Sequence, residues 1–255
     1  MDMRLDRKWT TGVAAVFVGF FSVPAPAAET NVAVAANFTD AAKEIAALFA
    51  EQTDHEAVLS FGSTGQLYTQ ITQDAPFEVF LSADNERTVT AIEEGFGVAD
   101  SDFTYAIGKI VLWSANADLV KGEETLKAGV FDKIAIANPE TAPYGAAAVE
   151  TMKALGVYDG LHARIVQGNN IAQTFQFVET GNAELGFVAL SQIAASDAGS
   201  RWVVPNDLYE PIRQDAVLLK KGEASEAAKA FLDFLKGPAA AAVIEKYGYG
   251  IESAN

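Results

Sequence analysis

The stretch Phe61-Gly62-Ser63-Thr64-Gly65-Gln66-Leu67-Tyr68 places the tightest local constraint on this chain, because it runs from a strand through a glycine-bearing turn into a helix. The preceding Ala57-Val58-Leu59-Ser60-Phe61 is apolar and β-branched enough for a buried strand, while Leu67 and Ile71 share one helical face. Gly62 and Gly65 are expected to let the turn bend tightly and to let a ligand approach the backbone. Ser63 and Thr64 set two hydroxyls beside the unpaired N–H groups of a first helical turn, where the dipole favours negative charge. Taken alone, the pair reads first as an ordinary N-cap. It is no nucleotide P-loop, since no lysine occurs between Lys43 and Lys109. An anion site requires the same turn to recur.

It does recur. Asn31 to Ala36 reads as a short buried strand followed by Asn37-Phe38-Thr39-Asp40 and a helix whose buried face carries Ala41, Ala42, Ile45, Leu48 and Phe49. Thr39 or Asp40 is the expected cap. Phe77 to Leu81 is a strand ending in Ser82-Ala83-Asp84, with Ser82 and Asp84 as caps of the next helix. Lys133 to Ala137 is another strand, and beyond Pro139 and Pro143 a helix opens at Tyr144-Gly145-Ala146-Ala147-Ala148. Its small residues leave backbone N–H groups accessible, and they serve close packing on a sheet equally well. Gly168-Asn169-Asn170-Ile171 opens the next helix, which Gly181 ends. Further strands are expected at Glu184–Ala189 and Arg201–Val204, and a returning strand at Asp215–Leu219. Strands alternating with helices predict an α/β fold with mainly parallel sheets flanked by helices. Ligands of such sheets sit at the carboxyl ends of strands, where these turns lie.

Other features narrow the chemistry. Arg4, Arg7 and Lys8, the apolar run Gly12 to Val23 and the small residues of Pro24-Ala25-Pro26-Ala27-Ala28 form a secretory signal peptide over residues 1–28. The run is about half of the roughly 20 residues that span a bilayer. The chain has no cysteine, hence no disulfide and no lipid-modified cysteine, which points to free solution in a periplasm. Beyond residue 28 it carries fifteen basic and thirty-two acidic side chains, a net charge of −17, so nucleic acid and anionic membrane are poor partners. The two histidines, His55 and His162, read as surface residues, and no cluster has zinc-ligand spacing. Ser63 does not sit in a hydrolase elbow.

The recurring feature is therefore a set of neutral donors at helix starts: Asn37, Ser63, Thr64 and the backbone around Tyr144 and Ile171. Such a set suits a fully deprotonated tetrahedral dianion, which only accepts hydrogen bonds. A protonated anion such as phosphate leaves its proton unpaired.

The segments Val32–Thr39, Phe61–Gly65, Ala75–Asp84, Phe234–Pro238 and Lys246–Tyr249 resemble, in order, the periplasmic molybdate-binding proteins of ABC transporters. The resemblance implies a two-lobed type II periplasmic binding-protein fold with the ligand cleft between lobes. The lobes are expected as 29–106 with 208–255, and 107–207. It implies no catalysis and no cofactor, but a molybdate or tungstate ligand, and a monomer that delivers it to membrane permease subunits. The ligand residues it implies are Ala36, Asn37, Ser63, Thr64, Tyr144 and Ile171, with the molybdenum, as molybdate, held by donors of the last five. Either Ser63 or Thr64 fills the family's serine position. Ala189 stands where many members have a tyrosine, which leaves ion preference open. The alternatives are the same fold holding sulfate or another oxyanion, a secreted hydrolase using Ser63 with His162, and an ion sensor that docks to a receptor.

Overall fold

The computed structural model describes residues 28–251, so the signal-peptide assignment lies, but for Ala28, outside the described residues. The described residues build two five-stranded sheets. The first lobe opens with β1 (Glu29–Ala35), a 3-10 turn Ala36–Phe38, α1 (Thr39–Thr53), β2 (Glu56–Gly62), α2 (Thr64–Thr72), β3 (Val79–Leu81), α3 (Glu86–Glu93) and β4 (Phe103–Gly108). The second holds β5 (Ile110–Ser114), α4 (Glu124–Ala128), β6 (Ile134–Ala137), α5 (Pro143–Ala154), α6 (Tyr158–Leu161), β7 (Ile165–Gly168), α7 (Ile171–Glu179), β8 (Leu185–Ala189), α8 (Leu190–Ile193) and β9 (Ser200–Val203). The chain then returns through β10 (Ile212–Leu218) to α9 (Glu226–Leu235) and α10 (Pro238–Lys246).

The sheet orders are β2-β1-β3-β10-β4 and β7-β6-β8-β5-β9. In each, three parallel strands are joined by antiparallel ones: β10 runs against β3 and β4, and β5 runs against β8 and β9. The sheets are thus mixed, because β5 and β10 each enter a sheet from the other lobe and run against its strands. From β1 the chain winds to β2 on one side and β3 on the other, and β6 stands in the same relation to β7 and β8. These are the topological switch points at which crevices open beyond strand carboxyl ends.

Both faces of the central strands are covered, which is why β1 reads as an apolar run rather than an alternation. Val32 and Val34 are fully buried with Ile45 and Phe49 of α1 and Phe231 of α9 in the first-lobe core. The second-lobe core, around Leu112, Ile134, Ile136 and Phe187, continues across the cleft to Ala35, Ala36 and Ala83 of the first lobe. The lobes therefore meet through small side chains directly at the two switch points.

Candidate functional site

Ala35, Ala36, Asn37, Gly62, Ser63, Thr64, Ala83, Ala142, Pro143, Tyr144 and Ile171 line one small, tightly closed cavity between the lobes. All six residues anticipated from the sequence are among them. None of the lining side chains is charged.

The first wall is the 3-10 turn after β1. Asn37 is buried, but its side-chain amide does not face a free partner: Nδ2 donates to Gln214 Oε1 at 2.7 Å and to the Tyr249 hydroxyl at 3.1 Å. Its carbonyl accepts from the Tyr249 hydroxyl at 2.7 Å and from Ser191 Oγ at 2.8 Å. The donor that Asn37 can offer a ligand is thus its backbone N–H, not its amide. The expected caps are also absent. Thr39 lies inside the helix with Oγ1 donating back to the Ala36 carbonyl at 2.8 Å, and the α1 start has no side-chain cap.

At the second wall Ser63 and Thr64 separate into two roles. Ser63 is the N-cap of α2, in a reciprocal capping box: Gln66 N–H donates to Ser63 Oγ, and Ser63 N–H to Gln66 Oε1, both at 3.4 Å. Thr64 Oγ1 instead accepts the Ala83 N–H at 3.0 Å, so each hydroxyl takes one N–H and keeps its own proton to donate, and they differ in that Ser63 caps its own helix while Thr64 ties α2 to the end of β3. The Thr64 N–H lies in the first turn, where no intrahelical acceptor exists. Gly65 differs from its expected role. Neither it nor Gly62 has positive φ, and the Gly65 N–H donates across the cleft to the Thr141 carbonyl at 2.9 Å. Its missing side chain admits the opposite lobe, not the ligand.

The second lobe supplies two helix starts. In α5 Pro143 has no N–H, and Gly145 and Ala146 return theirs to the Ala142 carbonyl at 2.8 and 3.1 Å. Tyr144 keeps the first-turn donor. In α7 the Asn170 cap takes the N–H of Gln173 at 3.0 Å and its carbonyl that of Thr174 at 3.1 Å, leaving the N–H of Ile171 at the cavity wall. The small residues of α5 also pack closely. A Cβ on Gly145 would come 2.2 Å from the Ala137 carbonyl oxygen.

The electrostatics follow from these helix starts. Their N-termini bring partial positive charge to one point without a cation. Asp84, at the cleft mouth, is taken up by Arg87: its Oδ1 accepts the Arg87 N–H at 3.0 Å, and its other oxygen is ion-paired with the guanidinium. Burial pushes the phenols of Tyr105, Tyr144 and Tyr249 up, so the groups behind the cavity stay neutral over the working pH range.

His162 is exposed in a 3-10 turn after α6, against the ring of Tyr158, and it does not line the cavity with Ser63. Ala189 is fully buried at the start of α8, its N–H donating to Gln192 Oε1 at 2.9 Å, and does not line the cavity either. Sequence reasoning passed over Ala83, whose place after β3 matches the other strand ends. It also passed over Gln214, which stands between Arg213 and Asp215 in the polar first half of β10 and carries no local signal of burial.

The model of the bacterial extracellular solute-binding proteins matches residues 30–250. The molybdate-binding protein ModA of Rhodobacter capsulatus is 56% identical over 231 residues, covering 91% of this chain and 92% of that protein. The molybdate-binding protein ModA of Azotobacter vinelandii is 52% identical, covering 94% and 97%. The solved structure of the periplasmic molybdate-binding protein of Azotobacter vinelandii superposes with a TM-score of 0.85 at 42% identity, over 88% of this chain and all of that one. These relatives are molybdate-binding proteins, and the solved one shares the two-lobed α/β architecture described above. The chain belongs, with them, to the bacterial extracellular solute-binding protein family.

Proposed function

We propose that this protein captures molybdate, and tungstate with it, between its lobes and hands the ion to the membrane permease of an ABC importer. The observation that carries this is a cavity without a charged side chain, at which helix starts from both lobes gather neutral donors. In this reading the ion is held by the Thr64 hydroxyl and the backbone N–H groups of Ala36, Asn37, Thr64, Tyr144 and Ile171. Ser63 shapes the α2 start as its cap. The molybdate-binding relatives support molybdate as the ion.

A dianion that carries no proton at neutral pH matches a donor-only wall. Monohydrogen phosphate needs an acceptor for its proton, and the nearby Asn37 carbonyl is already doubly occupied. Six hydrogen bonds to a charged group, at about 1.5–3 kcal/mol each, total roughly 9–18 kcal/mol. Association costs about 4–15 kcal/mol, so the surplus covers micromolar to nanomolar binding without any cation. No hydroxyl from position 189 is needed. Closure is a hinge motion with contacts made only when the lobes meet. The protein acts as a monomer in the periplasm, exported by residues 1–28.

Thermal melts of the chain from Glu29 onward test the reading. At a hundredfold excess over its dissociation constant, a ligand stabilises by about 2.7 kcal/mol. Molybdate and tungstate are expected to raise the melting temperature, with sulfate and phosphate much weaker. A shift with sulfate alone assigns the site to that ion, and no shift with any of the four overturns the oxyanion reading.

A further inference from the structure

Behind the cavity a buried polar chain joins the lobes, and Gln214 is at its centre. This side chain is fully buried on β10, beside the register shift that separates it from Asp215. Its Oε1 accepts from Asn37 Nδ2 at 2.7 Å and from the Tyr105 hydroxyl at 3.3 Å, and its Nε2 donates to the Tyr144 hydroxyl at 3.3 Å. Asn37 belongs to the first lobe and Tyr144 to the second, so one amide holds both. Gly108, the last residue of β4 before the chain crosses, leaves the space for it. A Cβ there would lie 2.3 Å from the Tyr144 hydroxyl oxygen and 2.8 Å from Gln214 Nε2.

The geometry points to Gln214 as a positioning residue, which fixes the spacing between the Asn37 and Tyr144 backbone donors across the closed lobes and keeps the wall behind the anion neutral. This rests on the oxyanion reading of the cavity. Asn37 and Tyr144 present their backbones to the ion while their side chains are anchored on the same amide. Because β10 belongs to the first-lobe sheet, opening the lobes separates Tyr144 from Gln214. A buried amide and phenol then lose partners that are costly to leave unmade. The amide also suits the charge balance. A carboxylate at this position could accept from both Asn37 and Tyr144 and so preserve the shape, but it would set negative charge behind a dianion.

Shape and charge are separable by substitution. Gln214→Leu and Gln214→Glu are to be titrated with molybdate beside the unsubstituted protein from pH 6 to pH 9. Gln214→Leu is expected to bind about tenfold or more weakly throughout, the scale set by one or two buried hydrogen bonds. Burial raises a carboxyl pKa, so Gln214→Glu is expected to bind best at pH 6 and to lose at least about tenfold by pH 9, while the unsubstituted protein stays flat. A purely structural role would lower the melting temperature and leave no such pH dependence. Where Gln214→Leu fails to fold, Gln214→Glu alone decides, and an affinity equal to the unsubstituted protein's at every pH overturns the proposal. If the unsubstituted protein binds no molybdate, the oxyanion reading fails by itself. Hydrogen exchange of the ligand-free proteins then decides: faster exchange around residues 36–38 and 144–147 in either variant upholds the coupling, and unchanged exchange in both overturns it.

Discussion

The Gly65 N–H donates to the Thr141 carbonyl at 2.9 Å, which joins the start of α2 in one lobe to the loop before α5 in the other. A Cβ at Gly65 would stand 3.0 Å from the Thr141 Cα and 3.1 Å from its Cβ. Beside it Arg87 Nη2 donates to the Glu140 carbonyl at 3.0 Å. This contact exists only with the lobes together, so Gly65→Ala is predicted to hold them apart without touching the ion. Overpacking costs about 1–3 kcal/mol, which weakens molybdate binding by about 5- to 150-fold, with most of the effect in faster release. Stopped-flow release and solution scattering check it. Unchanged release together with an unchanged radius of gyration of the molybdate-saturated protein would contradict it.

Ser63 and Thr64, adjacent in sequence, are predicted to fail in different ways. Ser63→Ala removes the cap of α2 and is expected to cost about 1 kcal/mol of stability, with binding reduced only severalfold. Thr64→Val keeps the side-chain shape but removes the hydroxyl proton proposed for the ion, and it strands the Ala83 N–H. A hydrogen bond to a charged group is worth about 1.5–3 kcal/mol, so affinity should fall by about 10- to 150-fold. Melts and calorimetry on both variants separate the roles, and equal affinities for the two would refute the assignment.

Asp215 provides a pH prediction. It is buried on β10, where its Oδ1 accepts the Thr104 hydroxyl at 2.7 Å. Burial pushes its carboxyl above the ordinary value, against the lowering effect of the Thr104 bond. Between the unfolded and native pKa values the native state binds the proton more tightly, so stability declines as pH rises through that window and is level above it. Asp215→Asn keeps an acceptor for Thr104 and removes the buried charge. It is predicted to raise the melting temperature at pH 7 by about 2–4 °C, with the gain vanishing in acid below the unfolded pKa. A melting temperature lowered at pH 7 would contradict the sign.

Much of this site was legible because strand, turn and helix are local in sequence. The positions of Asn37, Thr64, Tyr144 and Ile171 follow from where an apolar run stops and a helical period begins, and all four line one cavity. Long-range partners were not legible. Nothing near Gly65 announces Thr141, and nothing near Asn37 announces Gln214 or Tyr249, which lie far along the chain. The same gap explains the mixed sheets. The β5 run and the Ala216–Leu218 end of β10 are apolar and strand-like on their own, but the direction of each strand is set by which lobe the chain has just left. Ser63 and Thr64 were interchangeable as residue types, and only the contacts to Gln66 and Ala83 divide them.

The central claim is that neutral, donor-only walls hold a fully deprotonated dianion, with no protein group titrating as it binds. Calorimetric titration with molybdate at pH 7.5, in two buffers of very different ionisation enthalpy, tests this most directly. The account predicts tight one-to-one binding with the same heat in both buffers. An absence of binding, or heats that differ with the buffer and so report a proton taken up or released, would contradict it.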